Sequence, residues 1–179
     1  LMITSLARTG LHAGAGGFGL LSAAIGVGAL LGALGVAYAG KVSIPALLVG
    51  CGVFGTFLAL TGETDGLFQA MVLLTMAGMG MIVYSAMSNS VIQTFTPASL
   101  RGRVMSLYLW VFLGTSPIGS LLFGAIEQAW GSRVALALGG AAAVLAALGG
   151  TWWWRRVSRS RQGYASGLVS GGSIEAPRA

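Results

Sequence analysis

The sequence predicts an all-helical integral membrane protein, and three observations carry that expectation. The 179 residues are 55% apolar and only 8% charged, with a mean hydropathy of +0.84. Soluble domains carry about 25% charged residues, so too few charges are present to cover a water-facing surface, and lipid is the expected solvent. Several apolar runs reach the roughly 20 residues that a spanning helix needs, and nearly all the charge falls between them.

Five complete spans are expected, at residues 17–38, 43–60, 67–94, 104–126 and 134–154. The third is long enough to tilt. A transmembrane barrel would instead show segments of about 10 residues alternating between apolar and polar. These runs are continuous, about twice that length, and rich in Ala, Leu and Gly. Gly28 and Gly32 form a GxxxG pair in the first span, with Gly35 extending the small face, which suits close helix packing. The surrounding glycines do not form a nucleotide-binding loop, because they follow no strand and lie mid-helix. Residues 157–179 are expected to form a disordered tail, rich in Gly and Ser.

The net charge is +6, and orientation follows from where nine of the ten basic residues lie. If spans alternate, Lys41, Arg101, Arg103, Arg155, Arg156, Arg159 and Arg161 fall on one side. Arg8 and Arg133 fall on the other, with Glu63, Asp65 and Glu127. The positive-inside rule makes the first side, and the C-terminus, cytoplasmic. The basic pI thus reflects topology and calls for no nucleic-acid partner. Residues 8–16 would then lie outside, with no signal peptide to carry them there. The apolar stub Leu1–Ala7 reads as the end of a truncated span, and Leu1 in place of Met suggests a fragment.

No Asp, Glu, Lys, Arg or His lies within the spans, so the chain shows no intramembrane group of the kind that marks a proton path. No nucleophile stands with a base and no metal-ligand cluster occurs; neither an enzyme nor a cofactor is expected. Cys51 lies in an apolar run, and His12 reads as an interfacial loop residue. The third span is different. Tyr84, Ser85, Ser88, Asn89, Gln93 and Thr94 crowd one half of it. Ser85, Asn89 and Gln93 recur every four residues and share a face. Polar groups at that depth must face protein or water. Two roles fit: hydrogen bonding to a neighbouring helix, or lining a substrate cavity with Tyr84 and Ser88. Methionines 71, 76, 79 and 81 read as packing. In the fourth span, Thr96-Pro97 reads as an N-cap and first turn. Pro117, between Ser116 and Gly119, suggests a kink. Tyr108 and Trp110 fit either an aromatic belt or a cavity wall. Trp152, Trp153 and Trp154, followed by Arg155 and Arg156, read as an interfacial anchor.

The run Thr96-Pro97-Ala98-Ser99-Leu100-Arg101-Gly102-Arg103-Val104-Met105-Ser106 resembles major facilitator superfamily exporters in their tenth-to-twelfth-helix region, as do Gly114, Pro117-Ile118-Gly119-Ser120, Gly124 and Gly131-Ser132-Arg133. The resemblance extends to the bacterial branch of the enterobactin exporter and macrolide-efflux permeases. Leu11-His12-Ala13-Gly14-Ala15, Gly19-Leu20-Leu21 and residues 26–32 resemble the same branch from the seventh helix into the eighth. The resemblance covers residues 1–156 and implies a half-bundle, the C-terminal half of a twelve-helix transporter in the bacterial inner membrane. It further implies a missing N-terminal half as partner, and alternating-access efflux of a drug or small metabolite driven by an ion gradient. Tyr84, Ser85, Ser88, Asn89, Gln93 and Tyr108 are the candidate substrate-binding residues. One departure is that the loop after the first span keeps only Lys41 of the usual charged turn. The alternative is a stand-alone small membrane protein, or a non-functional remnant, with no transport activity.

Overall fold

The structure, a computed structural model, describes the backbone of residues 14–170 and the side chains of residues 16–158. It contains four helical elements: α1 Gly14–Ala39, α2 Ile44–Gly62, α3 Leu67–Phe95 and α4 Arg101–Ser170. None has a marked apolar stripe. Helices apolar all round are stable only inside protein or lipid, and all four are long and apolar enough to cross a membrane.

The five expected complete spans are therefore found as four elements, because no loop separates the fourth span from the fifth. The part of α4 with described side chains, 101–158, is 58 residues long. Straight, it would measure about 87 Å against a hydrocarbon core of about 30 Å. It is not straight. Gly131 takes φ +88° and ψ 165°, outside the helical region. The Phe123 ring lies against Gly139, although 16 helical residues would separate them by roughly 24 Å. The chain folds back at Gly131 into an N arm (101–130) and a C arm (132–170). The backbone stays helical through Pro117, and the reversal falls within the expected 127–133 connection, at the residue type that alone tolerates that φ without strain.

The turns are set by local chemistry. Gly40 adopts φ +58° after α1, and its N–H donates to the Val36 carbonyl. Ser43 caps α2, its hydroxyl accepting from the Ala46 N–H at 3.3 Å, with Pro45 in the first turn. Thr96 closes α3, its N–H and hydroxyl both donating to the Ile92 carbonyl. It is the C-cap of α3 and not, as expected, the N-cap of the next helix. Pro97 disfavours helical dihedrals at the residue before it, and residues 97–100 form a separate turn.

Glycines set the packing. A Cβ at Gly28 would lie 1.9 Å from the Thr75 carbonyl oxygen, and one at Gly32 2.7 Å from that of Met79. The expected GxxxG seam thus joins α1 to α3, and these helices run parallel. Gly35 is exposed and meets nothing within 4 Å, so the seam ends before it. Gly50 and Gly80 bring α2 and α3 together antiparallel, and Gly55 meets Gly140 between α2 and the C arm. Cys51 donates across this last seam to the Ala143 carbonyl. Leu21, Ala70 and Leu74 form the buried core of the α1–α3 contact.

These directions gather Lys41, Arg101, Arg103, Arg155 and Arg156 at one end of the bundle. Glu63, Asp65, Glu127 and Arg133 lie at the other, where Arg133 pairs with Asp65. α4 continues past the expected end of the fifth span to Ser170, so residues 157–170, expected in the disordered tail, have helical backbone. The stub at residues 1–7, Arg8, His12 and the end of the tail lie outside the described residues.

Candidate functional site

The polar stripe lies in the half of α3 toward the basic end. Tyr84, Ser85, Ser88 and Asn89 are half-buried and Gln93 is exposed. Successive four-residue steps on a helix drift by about 40°. Gln93 is therefore turned about 80° from Ser85, which accounts for its exposure. The Asn89 amide donates to the Ser85 carbonyl at 3.0 Å. That bond runs along α3 and not across to a neighbour, so it does not tie two helices together. The Tyr84 backbone packs against Gly50 of α2. Tyr108, half-buried on the N arm, stacks on Phe112 with ring centroids 5.9 Å apart, while Trp110 is 79% exposed. Tyr108 is the one candidate carried by a different helix from the other five.

The other half of the bundle holds a cavity of about 470 Å³, within the range of small-molecule pockets. It lies between the N arm and the packed helices. Phe54 and Leu58 of α2 and Leu74 and Met81 of α3 form one wall. Ser116, Ser120 and Phe123 of the N arm form the opposite wall. Ser120 donates to the Pro117 carbonyl at 2.9 Å, which leaves its oxygen able to accept. No ionisable group among the described residues lines the space. None of the six candidate residues lines it either. The two regions adjoin along α3: Ala77 and Met81 border the cavity, and Ser85 and Asn89 continue the same four-residue row toward the basic end.

Sequence reasoning missed Ser116, Ser120 and Phe123 as lining residues. A signal was present, since Ser116 and Ser120 are one turn apart on one face, with Gly119 beside them. That pattern was absorbed into the expectation of a proline kink. Phe54 and Leu58 carried no such signal, because in an apolar helix a cavity-facing residue and a lipid-facing one have the same composition.

A family model described as transmembrane secretion effector matches residues 2–162 of the chain. No curated protein and no solved structure matches it.

Proposed function

We propose, on the premise that the chain belongs to the transmembrane secretion effector family of the major facilitator superfamily, that it forms the C-terminal half of a secondary-active export permease. The match over nearly the whole chain is the observation that carries this reading. The cargo is a drug-like or small metabolite molecule, and export proceeds by alternating access of two halves around a site near the midplane. The protein performs no covalent chemistry and uses no nucleic acid. It resides in the bacterial inner membrane with its C-terminus cytoplasmic, as the gathering of Lys41, Arg101, Arg103, Arg155 and Arg156 at one end supports. An N-terminal half of six helices is its partner. The substrate path runs from the 470 Å³ cavity along the stripe of Tyr84, Ser85, Ser88, Asn89 and Gln93, with Tyr108 opposite. The row from Met81 to Ser85 and Asn89 supports that continuity.

A stand-alone membrane protein is the second reading. It is favoured by the glycine seams joining α1, α2, α3 and the C arm, which form within this chain. The test is transport of a dye or antibiotic into proteoliposomes under a pH gradient, with this chain alone and with an N-terminal half supplied. Gradient-dependent transport only when both are present is expected. Saturable transport by this chain alone would overturn the half-transporter reading. Failure of both preparations would overturn the export reading.

A further inference from the structure

We propose that the N arm is a hinged gate at the side of the cavity, pivoting at Gly131 and latched by Phe123. A helix packed on a neighbour buries a residue or more in each turn of the packed face. Residues 109–118 make almost three turns of the N arm, and every one of them is exposed. Half-burial returns at Gly119 and gathers in Phe123, Gly124, Ile126 and Glu127, close to Gly131. The arm therefore rests on the scaffold beside its pivot and stands away from it over its middle. Few buried apolar contacts mark the parts of a protein that open at low cost.

Both ends of the arm are joints. Gly131 holds φ +88° and ψ 165°, a region open essentially to glycine alone, and nothing lies within 4 Å of where its Cβ would stand. At the other end Thr96 is extended, with φ −93° and ψ 126°. Pro97 bars a helix from running through it, and residues 97–100 form a turn in which the Leu100 N–H donates to the Pro97 carbonyl. Between the joints the arm is stiff. Its backbone is helical through Pro117, and the Thr115 hydroxyl donates to the Val111 carbonyl at 2.6 Å. A stiff element between two short connections is the arrangement that hinge motions use. Residues 96–100, fully extended, reach about 17 Å, which bounds the swing.

Leverage places the effect at the cavity. Ser116 lies about 22 Å along the helix from Gly131, so a rotation of about 10° moves it by about 4 Å. Ser116 and Ser120 bound the cavity on the arm's side, so this motion widens or narrows it. The facing wall cannot follow, because the Gly55–Gly140 contact locks α2 to the C arm. Phe123 lies nearer the pivot, with its ring 3.4 Å from where a Cβ at Gly139 would stand. A ring resting on a glycine parts without dragging another side chain, which suits a latch.

The full chain in phospholipid bilayers, in a Cys51→Ser background, tests the gate by electron-spin distance measurement. One doubly labelled protein carries Leu113→Cys on the arm and Val49→Cys on α2. The reference carries Leu34→Cys on α1 with Val49→Cys, all three positions being exposed. The arm-to-scaffold distance distribution should be at least about twice as wide as the reference. Phe123→Ala should raise the ratio of far to near arm positions about tenfold and leave the reference unchanged. Gly131→Ala, which cannot hold the pivot's dihedrals without strain, should shift the mean arm distance, whereas Gly114→Ala should not. Equal widths for the two pairs in the parent protein would overturn the gate, and that comparison stands even where a variant fails to fold. Broadening of both pairs alike by Phe123→Ala would show a loosened bundle and would also overturn it. The measurement needs neither cargo nor an N-terminal half, so its failure is separate from failure of the export reading.

Discussion

The seam between α2 and the C arm and the N arm of α4 are both rich in small residues, yet they behave oppositely. In the seam, a Cβ on Gly55 would stand 2.7 Å from the Gly140 carbonyl oxygen, and one on Gly140 2.4 Å from that of Gly55. In the N arm, Gly102, Gly114, Gly119 and Gly124 meet nothing within 4 Å. Leu107, Trp110, Leu113, Ile118 and Leu121 of the N arm are each at least 65% exposed. Glycine content therefore says little until a facing backbone is known. One set of glycines knits α1, α2, α3 and the C arm into a scaffold. The other belongs to an arm that leans on that scaffold mainly near Gly131 and encloses the cavity.

The largest effect expected from this contrast is steric. Gly55→Leu drives a side chain into the Gly140 carbonyl and the Ala143 methyl, and neither backbone can retreat without opening the seam. A loss of about 3 kcal/mol is expected, measured by denaturation in detergent micelles. Gly114→Leu should be neutral or gain up to about 1 kcal/mol from helix propensity. Equal losses at the two positions would mean that the N arm is packed as tightly as the seam.

A smaller effect is expected at a contact between the N arm and the C arm. Phe123 borders the cavity and lies on Gly139, but it is only half-buried. Full burial would make truncation cost about 3–5 kcal/mol, so Phe123→Ala should cost about 2 kcal/mol. It should also raise the accessibility of a cysteine placed by Ser116→Cys in a Cys51→Ser background, read by the rate of thiol labelling. An unchanged labelling rate would show that Phe123 does not hold the arm.

Smaller still is the cost expected for the polar stripe. Because the Asn89 amide donates within α3, Asn89→Leu removes a bond along one helix and not one between two, and its cost should stay below the roughly 0.6 kcal/mol average of interhelical hydrogen bonds. In a full-length transporter, Asn89→Leu with Gln93→Leu should change the substrate profile per folded molecule while leaving protein abundant. A stability loss above about 1.5 kcal/mol with an unchanged profile would make the stripe a packing element.

The helical membrane character was legible in the sequence, because apolar run length is a local property. The GxxxG seam was legible for a related reason, since Gly28 and Gly32 share a face wherever α1 sits. Gly131 was not legible as the reversal point. A connection at 127–133 was legible from the break between two apolar runs, but nothing in Trp130 or Ser132 shows that it is made by a single non-helical residue. The cavity was not legible either, because its walls come from residues as far apart as Ile25 and Leu136. Only the three-dimensional arrangement separates Phe54, beside a void, from Val49, which is 64% exposed. The polar stripe stood out in sequence because it is chemically unlike its surroundings, and that same contrast drew attention away from the serines of the N arm.

The smallest effect belongs to the ion pair between Arg133 and Asp65, which ties the turn before α3 to the start of the C arm, both flanking α2. It joins parts of the scaffold and bypasses the N arm, so its loss should loosen the acidic end without freeing the arm. The side chains are 47% and 82% exposed, and exposed pairs contribute about 0.2–1 kcal/mol. Asp65→Asn should therefore lower stability by about 0.5 kcal/mol at low salt. In 1 M salt, where the screening length falls to about 3 Å, wild type and variant should converge. The charge-swapped protein, Asp65→Arg with Arg133→Asp, should recover most of the loss, since it restores attraction between the same two positions. The measurement is denaturation of each variant at two salt concentrations, with cysteine accessibility at position 116 followed alongside. A salt-independent loss would assign the effect to the turn backbone and not to the charges. An increase in accessibility at position 116 would show that the N arm depends on the acidic end after all, and the division between scaffold and arm would fail there first.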